Sequence, residues 1–207
     1  MLNKIIGDKL MKDIIKFGGY NWLVQEHDTK NNKILLLFDG IWDKRLYNRE
    51  QESITWADCT LRKELNNEFY NTIPLSERGR IIKVRNENPK NPWFGTNGGI
   101  ATEDYIFILS LYELGDDMLK RGINPNERSD TLQYPSFGIY SSGFHNQYSE
   151  SRIAKDADGV ASWWWLRSPG LIGVFAATVL VDGYVDVIGL FVSAVVGGVR
   201  PALWLNI

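Results

Sequence analysis

The chain has 207 residues, enough for one domain with a real core, and a formal net charge of −2 with no basic run. That balance leaves no electrostatic footprint for nucleic acid or for an anionic membrane. A single cysteine, Cys59, excludes an internal disulfide framework and a cysteine zinc cluster, and it reads as a small buried residue on a helix.

The first residues, "MLNKIIGDKLMKDIIKFGGYNW", break their apolar positions with Lys4, Asp8, Lys9, Lys12 and Asp13. Without an uninterrupted apolar stretch or a small-residue cleavage site, they are not expected to be a secretory signal. "YNWLVQEH" and "NKILLLFDG" are β-rich runs separated by the polar "DTKNN", which predicts an N-terminal hairpin. "SITWADCTLRKELNNEFYNTIP" predicts a helix: Thr55 is the candidate N-cap with Asp58 three residues on, and Ala57, Leu61, Leu65 and Phe69 follow at helical spacing before Pro74. "PLSERGRIIKV" predicts a second, shorter helix capped by Ser76.

"EDYIFILSLYEL" predicts a buried strand running into a helical turn. From Gly122 to Gly159 the chain is rich in Asn, Ser, Gly, Pro and Tyr without periodicity, and short irregular pieces packed by their aromatics are expected there. From Ser162 onward, short β-runs alternate with glycine. Helices early and strands late imply an α+β fold, not alternating βαβ units.

Residues 171–198, "LIGVFAATVLVDGYVDVIGLFVSAVVGG", contain no Lys, Arg, Glu or Gln. They do not read as a membrane span, because Asp182 and Asp186 sit mid-stretch at about 2.5–3.5 kcal/mol each and Asp182-Gly183 is a turn dipeptide.

Signals for chemistry are sparse. The two histidines, His27 and His145, lack metal-ligand spacing and read as ordinary surface or loop residues. No phosphate loop, nucleophile elbow, zinc helix or calcium loop occurs. Asp116, Asp117, Asp156 and Asp158 read as solvated loop charges, and a calcium site built from loop carboxylates and carbonyls stays open without support. At least two of Trp163, Trp164 and Trp165 are expected in the core, since strand faces alternate; a stacking platform for sugars or bases is the alternative. Arg167 and Arg200 read as structural hydrogen-bond hubs.

"WWLRSPG" at Trp164–Gly170, "GVRPALWL" at Gly198–Leu205, and the skeleton Ala177, Val179, Asp182, Gly183, Val185, Gly189 and Val192 between them resemble bacterial and phage C-type-lectin-fold domains. Among these the chain looks most like the variable proteins of diversity-generating retroelements. "FGGYNWLV" and "ITWADCTLRKELNNEFYNTI" resemble the hairpin and first helix of such domains. The resemblance implies a single C-type-lectin-like domain over 1–207: a scaffold at 1–161 with an N-terminal hairpin and two helices, then a C-terminal antiparallel β region at 162–207.

It also implies a variable ligand-binding segment at 171–198. In such systems template adenines are rewritten, and AAY codons become NNY, which cannot encode Lys, Glu, Gln, Met or Trp. All five are absent between Leu171 and Gly198. Val179, Val185 and Val192 would face inward. The implied binding residues are Leu171, Ile172, Val174, Phe175, Thr178, Leu180, Tyr184, Asp186, Val187, Ile188, Leu190, Phe191, Ser193, Ala194, Val195 and Val196. Tyr184, Phe175 and Phe191 would be the anchors, with Asp186 and Ser193 adding polar specificity. "VRPALWL" would close the sheet, with Trp204 in the core and Pro201 at a strand edge or start.

The implied function is non-catalytic recognition, in phage attachment or in a cell's recognition of another surface, without metal or cofactor. So apolar a surface suits a protein or hydrophobic ligand better than a bare sugar, and burial against a second copy of the chain competes. A virion-associated or cytoplasmic setting is expected. Two alternatives stand: an invariant structural or virion domain, and an oxidase like the formylglycine-generating enzymes, which share that fold but rely on two cysteines where this chain has only Cys59.

Overall fold

The computed structural model describes residues 13–114, 131–134, 139–146 and 148–207. The N-terminal residues 1–12, the Asp116-Asp117 pair and parts of the 122–159 region lie outside the described residues.

Strands β1 (Ile14–Phe17) and β2 (Tyr20–Asp28) turn through Gly18 and Gly19, both at positive φ. β2 then pairs antiparallel with β3 (Lys33–Phe38). The connection is an Asx turn: the Asp28 carboxylate accepts from the Asn31 backbone N–H at 3.1 Å and from its side-chain amide at 2.7 Å. A short β4 (Asp43–Arg45) follows.

Helical turns at Thr60–Glu64, Leu65–Phe69 (π) and Tyr70–Thr72 run on from one another. Leu61, Leu65 and Phe69 are buried on one face, as their spacing dictates. The helix begins five residues later than Thr55. Cys59 is the N-cap, its Sγ accepting from Arg62 N–H, while residues 55–59 form a turn held by the buried Trp56. The second helix is one turn, Leu75–Arg78, and follows Pro74, so Ser76 lies inside it and caps nothing.

β5 (Ile81–Ile82), β6 (Val84–Asn86) and β7 (Thr102–Asp104) come next. Residues 106–109 are buried at every position, yet only Phe107 makes a ladder contact, bridging to Ala202. This is an extended core segment, not the continuous strand expected; the turn at 111–114 is helical. Within 122–159 the described residues are largely regular: β8 (Thr131–Tyr134) and β9 (Ile139–Phe144) pair as antiparallel neighbours, Ser149–Arg152 is a helical turn, and β10 (Ala154–Lys155) pairs with β11 (Ala161–Ser162). The remaining strands are β12 (Trp164–Pro169), β13 (Phe175–Val179), β14 (Val185–Phe191), β15 (Gly197–Val199) and β16 (Ala202–Asn206).

Two sheets dominate. The first has order β1-β2-β3-β16-β5 and the second β4-β15-β12-β13-β14-β9-β8. One connected apolar core spans both, with Trp22 and Leu36 from the first and Trp164, Trp165, Val179 and Val185 from the second. Trp164 and Trp165 are fully buried, whereas Trp163 is partly exposed and meets Trp165 edge-on at 4.9 Å. Each buried indole supplies at least the roughly 1.5–3 kcal/mol typical of a large apolar side chain.

This architecture overturns the α+β, C-type-lectin reading. The molecule is mostly β, with strands in both halves and, among the described residues, only short helical turns besides the run over 60–72. The physical reason is non-local pairing. The C-terminal β16 lies between β3 and β5, with Leu203 opposite Leu36, and β4 from the N-terminal half pairs with β15.

Candidate binding face

The hairpin β13–β14 is organised around its turn. Gly183 adopts φ +80°, its N–H donates to Leu180 O, and the Asp182 carboxylate accepts from Tyr184 N–H at 3.0 Å. A Cβ on Gly183 would stand 1.9 Å from Ser149 O, so both space and backbone require glycine there. Further along, the register slips. Phe175 pairs with Phe191 and Ala176 with Leu190, but Thr178 pairs with Asp186, so Ala177 opposes the longer stretch Val187–Ile188–Gly189. Gly189, at φ +75°, makes this bulge.

The bulge separates two environments. On its turn side, Thr178, Tyr184, Asp186 and Val187 are buried, with Asp186 Oδ1 accepting from Ile188 N–H at 3.0 Å. These four do not face a ligand. The seven-stranded sheet is covered on both faces along β12 and along β13 from Ala176 on, so alternation there carries no residue to solvent. Tyr184, one of the expected anchors, is fully buried with its ring 5.0 Å from His145.

On the far side the apolar residues reach the surface. Phe175 and Phe191 meet edge-to-face at 4.3 Å, both partly exposed. Leu171 is 38% exposed and Ile172 51%. Val174, Ile188, Leu190, Ser193 and Val195 are intermediate, Ala194 is exposed, and Val196 is 58% exposed, while Leu180, intermediate too, lies at the turn end. Leu190 and Val195 also pack on the core. The skeleton residues Ala177, Val179, Val185 and Val192 are buried.

Residues 171–174 are held by their backbone. Leu171 N–H donates to Ile188 O at 2.8 Å, Thr96 Oγ1 donates to Leu171 O at 2.7 Å, and Ile54 N–H donates to Gly173 O at 3.0 Å. Beneath them the buried Asn91 amide donates to Pro169 O and Val187 O, each at 2.9 Å, tying β12 to β14. Sequence reasoning missed Asn91 and Thr96. The repeated Asn-Pro dipeptides at 88–89 and 91–92 are the turn signal that marks this loop. The loop also carries Phe94, 37% exposed.

At the other end of the hairpin, His145 Nδ1 is 3.1 Å from Ser149 Oγ and Nε2 is 3.4 Å from Asp182 Oδ2. Serine, histidine and aspartate in a row invite a catalytic reading, but Ser149 Oγ already accepts from Asn146 N–H at 3.0 Å and Arg152 Nη2 at 3.1 Å, and the residue is largely buried. The cluster fastens the hairpin turn to the Ser149–Arg152 helix. His27 lies on β2, exposed, opposite Ile34. Asp156 is held below the usual carboxylate range by the hydrogen-bonded Lys44 ammonium at 2.8 Å. Among the described residues, no group of three His, Cys, Asp or Glu side chains gathers as for a metal ion.

The buried arginines act as hubs. Arg167 donates to Ile108 O and holds the Glu113 carboxylate with both terminal nitrogens; Arg200 donates to Phe38 O at 3.0 Å. Burial lowers the Arg152 and Arg200 guanidinium groups to about 10, so both stay charged at neutral pH. Pro201 immediately precedes β16 and accepts from Phe38 N–H, whereas Trp204 is only half-buried, with the Lys33 ammonium 4.2 Å above its ring.

Residues 31–207 match the family described as "Domain of unknown function (DUF6273)". No curated protein and no solved structure matches the chain. No helix among the described residues is long and apolar enough to cross a membrane.

Proposed function

The chain belongs to the DUF6273 family, and we propose that it is a non-catalytic binding protein that holds a protein or other apolar surface ligand against the far side of the β13–β14 hairpin. One observation carries this reading: Leu171, Ile172, Phe175 and Phe191 stay partly or largely exposed on backbone tied down by hydrogen bonds from Leu171 N–H to Ile188 O, Phe175 N–H to Ile172 O and Gly170 N–H to Phe175 O. Apolar side chains held rigidly at the surface lose little entropy when a partner covers them, which favours binding.

The thiol chemistry of the oxidase alternative has only Cys59 to draw on, and that side chain is fully buried. The binding set narrows to the residues beyond the bulge and the two adjoining connections. Retroelement diversification belongs to the same proposal, supported by the absence of Lys, Glu, Gln, Met and Trp between Leu171 and Gly198.

Two experiments test it. Immobilised wild-type protein and an Ile172→Asp, Phe191→Ser double variant are compared for ligand capture, with circular dichroism checking the fold. Capture by the wild type that the variant loses supports the reading, and equal capture sinks it. An anchor phenylalanine of this kind is worth about 2 kcal/mol of affinity. For diversification, the gene is expected to have a nearby near-repeat with AAY codons at the exposed positions and a reverse transcriptase gene beside it. Their absence removes that half of the proposal and leaves the binding face intact.

A further inference from the structure

A groove elsewhere on the molecule shares no residue with the hairpin face. It measures about 630 Å³ and lies between β16 and the extended run from Ile82 to Glu87. The deepest charged group is Arg167, 5% exposed, whose terminal nitrogens are held by Glu113 while its buried Nε has no acceptor. At the rim Arg85 donates to Glu87 at 2.8 Å. These two arginine–glutamate pairs neutralise themselves, and both lie wholly within the groove wall.

Two lysines are left over. Lys33 and Lys83 line the groove, but their nearest carboxylates, Asp28 at 3.7 Å and Glu103 at 3.9 Å, are not part of its wall. Both separations exceed hydrogen-bond range; the Lys83–Glu103 pair is exposed and of a kind worth little, whereas the Lys33–Asp28 pair is half-buried. The groove wall therefore has a net positive charge from two ammonium groups whose carboxylate partners lie outside it. Beside them lie apolar surfaces of Ile82, Val84 and Trp204, and Lys33 stands over the Trp204 ring.

The geometry points to a site for a small organic oxyanion, a carboxylate or phosphate borne on an apolar body. Lys33 and Lys83 take the charge, and Ile82, Val84 and Trp204 take the body. Arg167 with Glu113 forms a rigid floor that is already paired and is not displaced. A neutral ligand of the same shape lacks the main attraction.

Isothermal titration at low ionic strength tests this with three probes: 3-phenylpropionate, phenyl phosphate and the neutral 3-phenylpropan-1-ol. Binding of at least one oxyanion at millimolar concentration or tighter is expected, weakened by added salt and at least about tenfold by Lys33→Gln with Lys83→Gln. Which oxyanion binds better tells carboxylate from phosphate. Lys83→Gln alone, at a half-exposed position, serves where the double variant fails to fold. The inference is overturned if neither oxyanion binds, if the alcohol binds equally well, or if the lysine substitutions leave the affinity unchanged. A hairpin-face variant such as Ile172→Asp is expected to leave this titration untouched, which separates the two sites.

Discussion

At the scale of single residues, two kinds of position dominate: glycines that the backbone demands and polar groups the core has enclosed. Gly189 sits at φ +75°, and a Cβ there would stand 2.0 Å from Ala176 O. Gly189→Ala is expected to cost about 2–3 kcal/mol, since strain and collision act together, and to lower Tm by roughly 4–12 °C in a thermal melt. Cys59 is the other case. Burial pushes its thiol up from 9.0 to about 12. The folded state thus holds the proton more tightly than the unfolded chain. The stability this contributes is complete below pH 9 and is lost as pH rises toward 12. Tyr47, also raised by burial, adds in the same alkaline direction. Denaturant titrations from pH 8 to 11 are expected to show a midpoint that falls with pH, and falls less steeply in Cys59→Ala, the Tyr47 part remaining. A thiol reagent at pH 8 is expected to label Cys59 only after denaturant is added.

At the scale of elements, Asp104 decides how the helix meets the small β6–β7 ladder. Fully buried at the end of β7, its carboxylate accepts from Arg62 Nε at 2.6 Å, Thr102 Oγ1 at 2.7 Å, Asn86 Nδ2 at 2.9 Å and Trp56 Nε1 at 3.2 Å. Asp104→Ala strands these donors and leaves the Arg62 guanidinium without its carboxylate. A loss of about 3–5 kcal/mol is expected in chemical denaturation. Asp104→Asn is expected to cost less, because an amide oxygen can still accept. The turns of this chain were legible because their cause is local. Asp28 closes its turn on Asn31, and Asp182-Gly183 has the only kind of residue that fits φ +80° against Ser149. The helix start was misplaced for a non-local reason: Trp56 is drawn into the core and bonded to Asp104, which holds residues 55–59 as a turn.

At the scale of the whole molecule, the closing strand β16 integrates the fold. Its five residues pair with β3 on one side and its middle with β5 on the other, and Ala202 also bonds to Phe107 in both directions. Deleting residues 202–207 opens a central position in the five-stranded sheet. The truncated chain is expected to give no cooperative thermal transition, whereas removing Ile207 alone, past the last strand residue and exposed, is expected to shift Tm little.

Local chemistry in the sequence determined the Asx turn after β2 and the hairpin turn at Asp182-Gly183, whereas the consecutive Trp164 and Trp165 are both buried only because β12 is covered on both faces. Each turn follows from the geometry of a few neighbouring residues. Tertiary structure alone decided which runs became neighbours: β16 inside the N-terminal sheet, β4 on β15, and the β8–β9 pair on the edge of the larger sheet. It also decided which apolar residues stayed outside. Thr178, Tyr184, Asp186 and Val187 went inward because the sheet is covered on both faces there, and Phe175 and Phe191, paired with each other beyond the bulge at Gly189, stayed partly exposed. A period-two pattern states only that faces alternate; whether each face is wet depends on what packs over it.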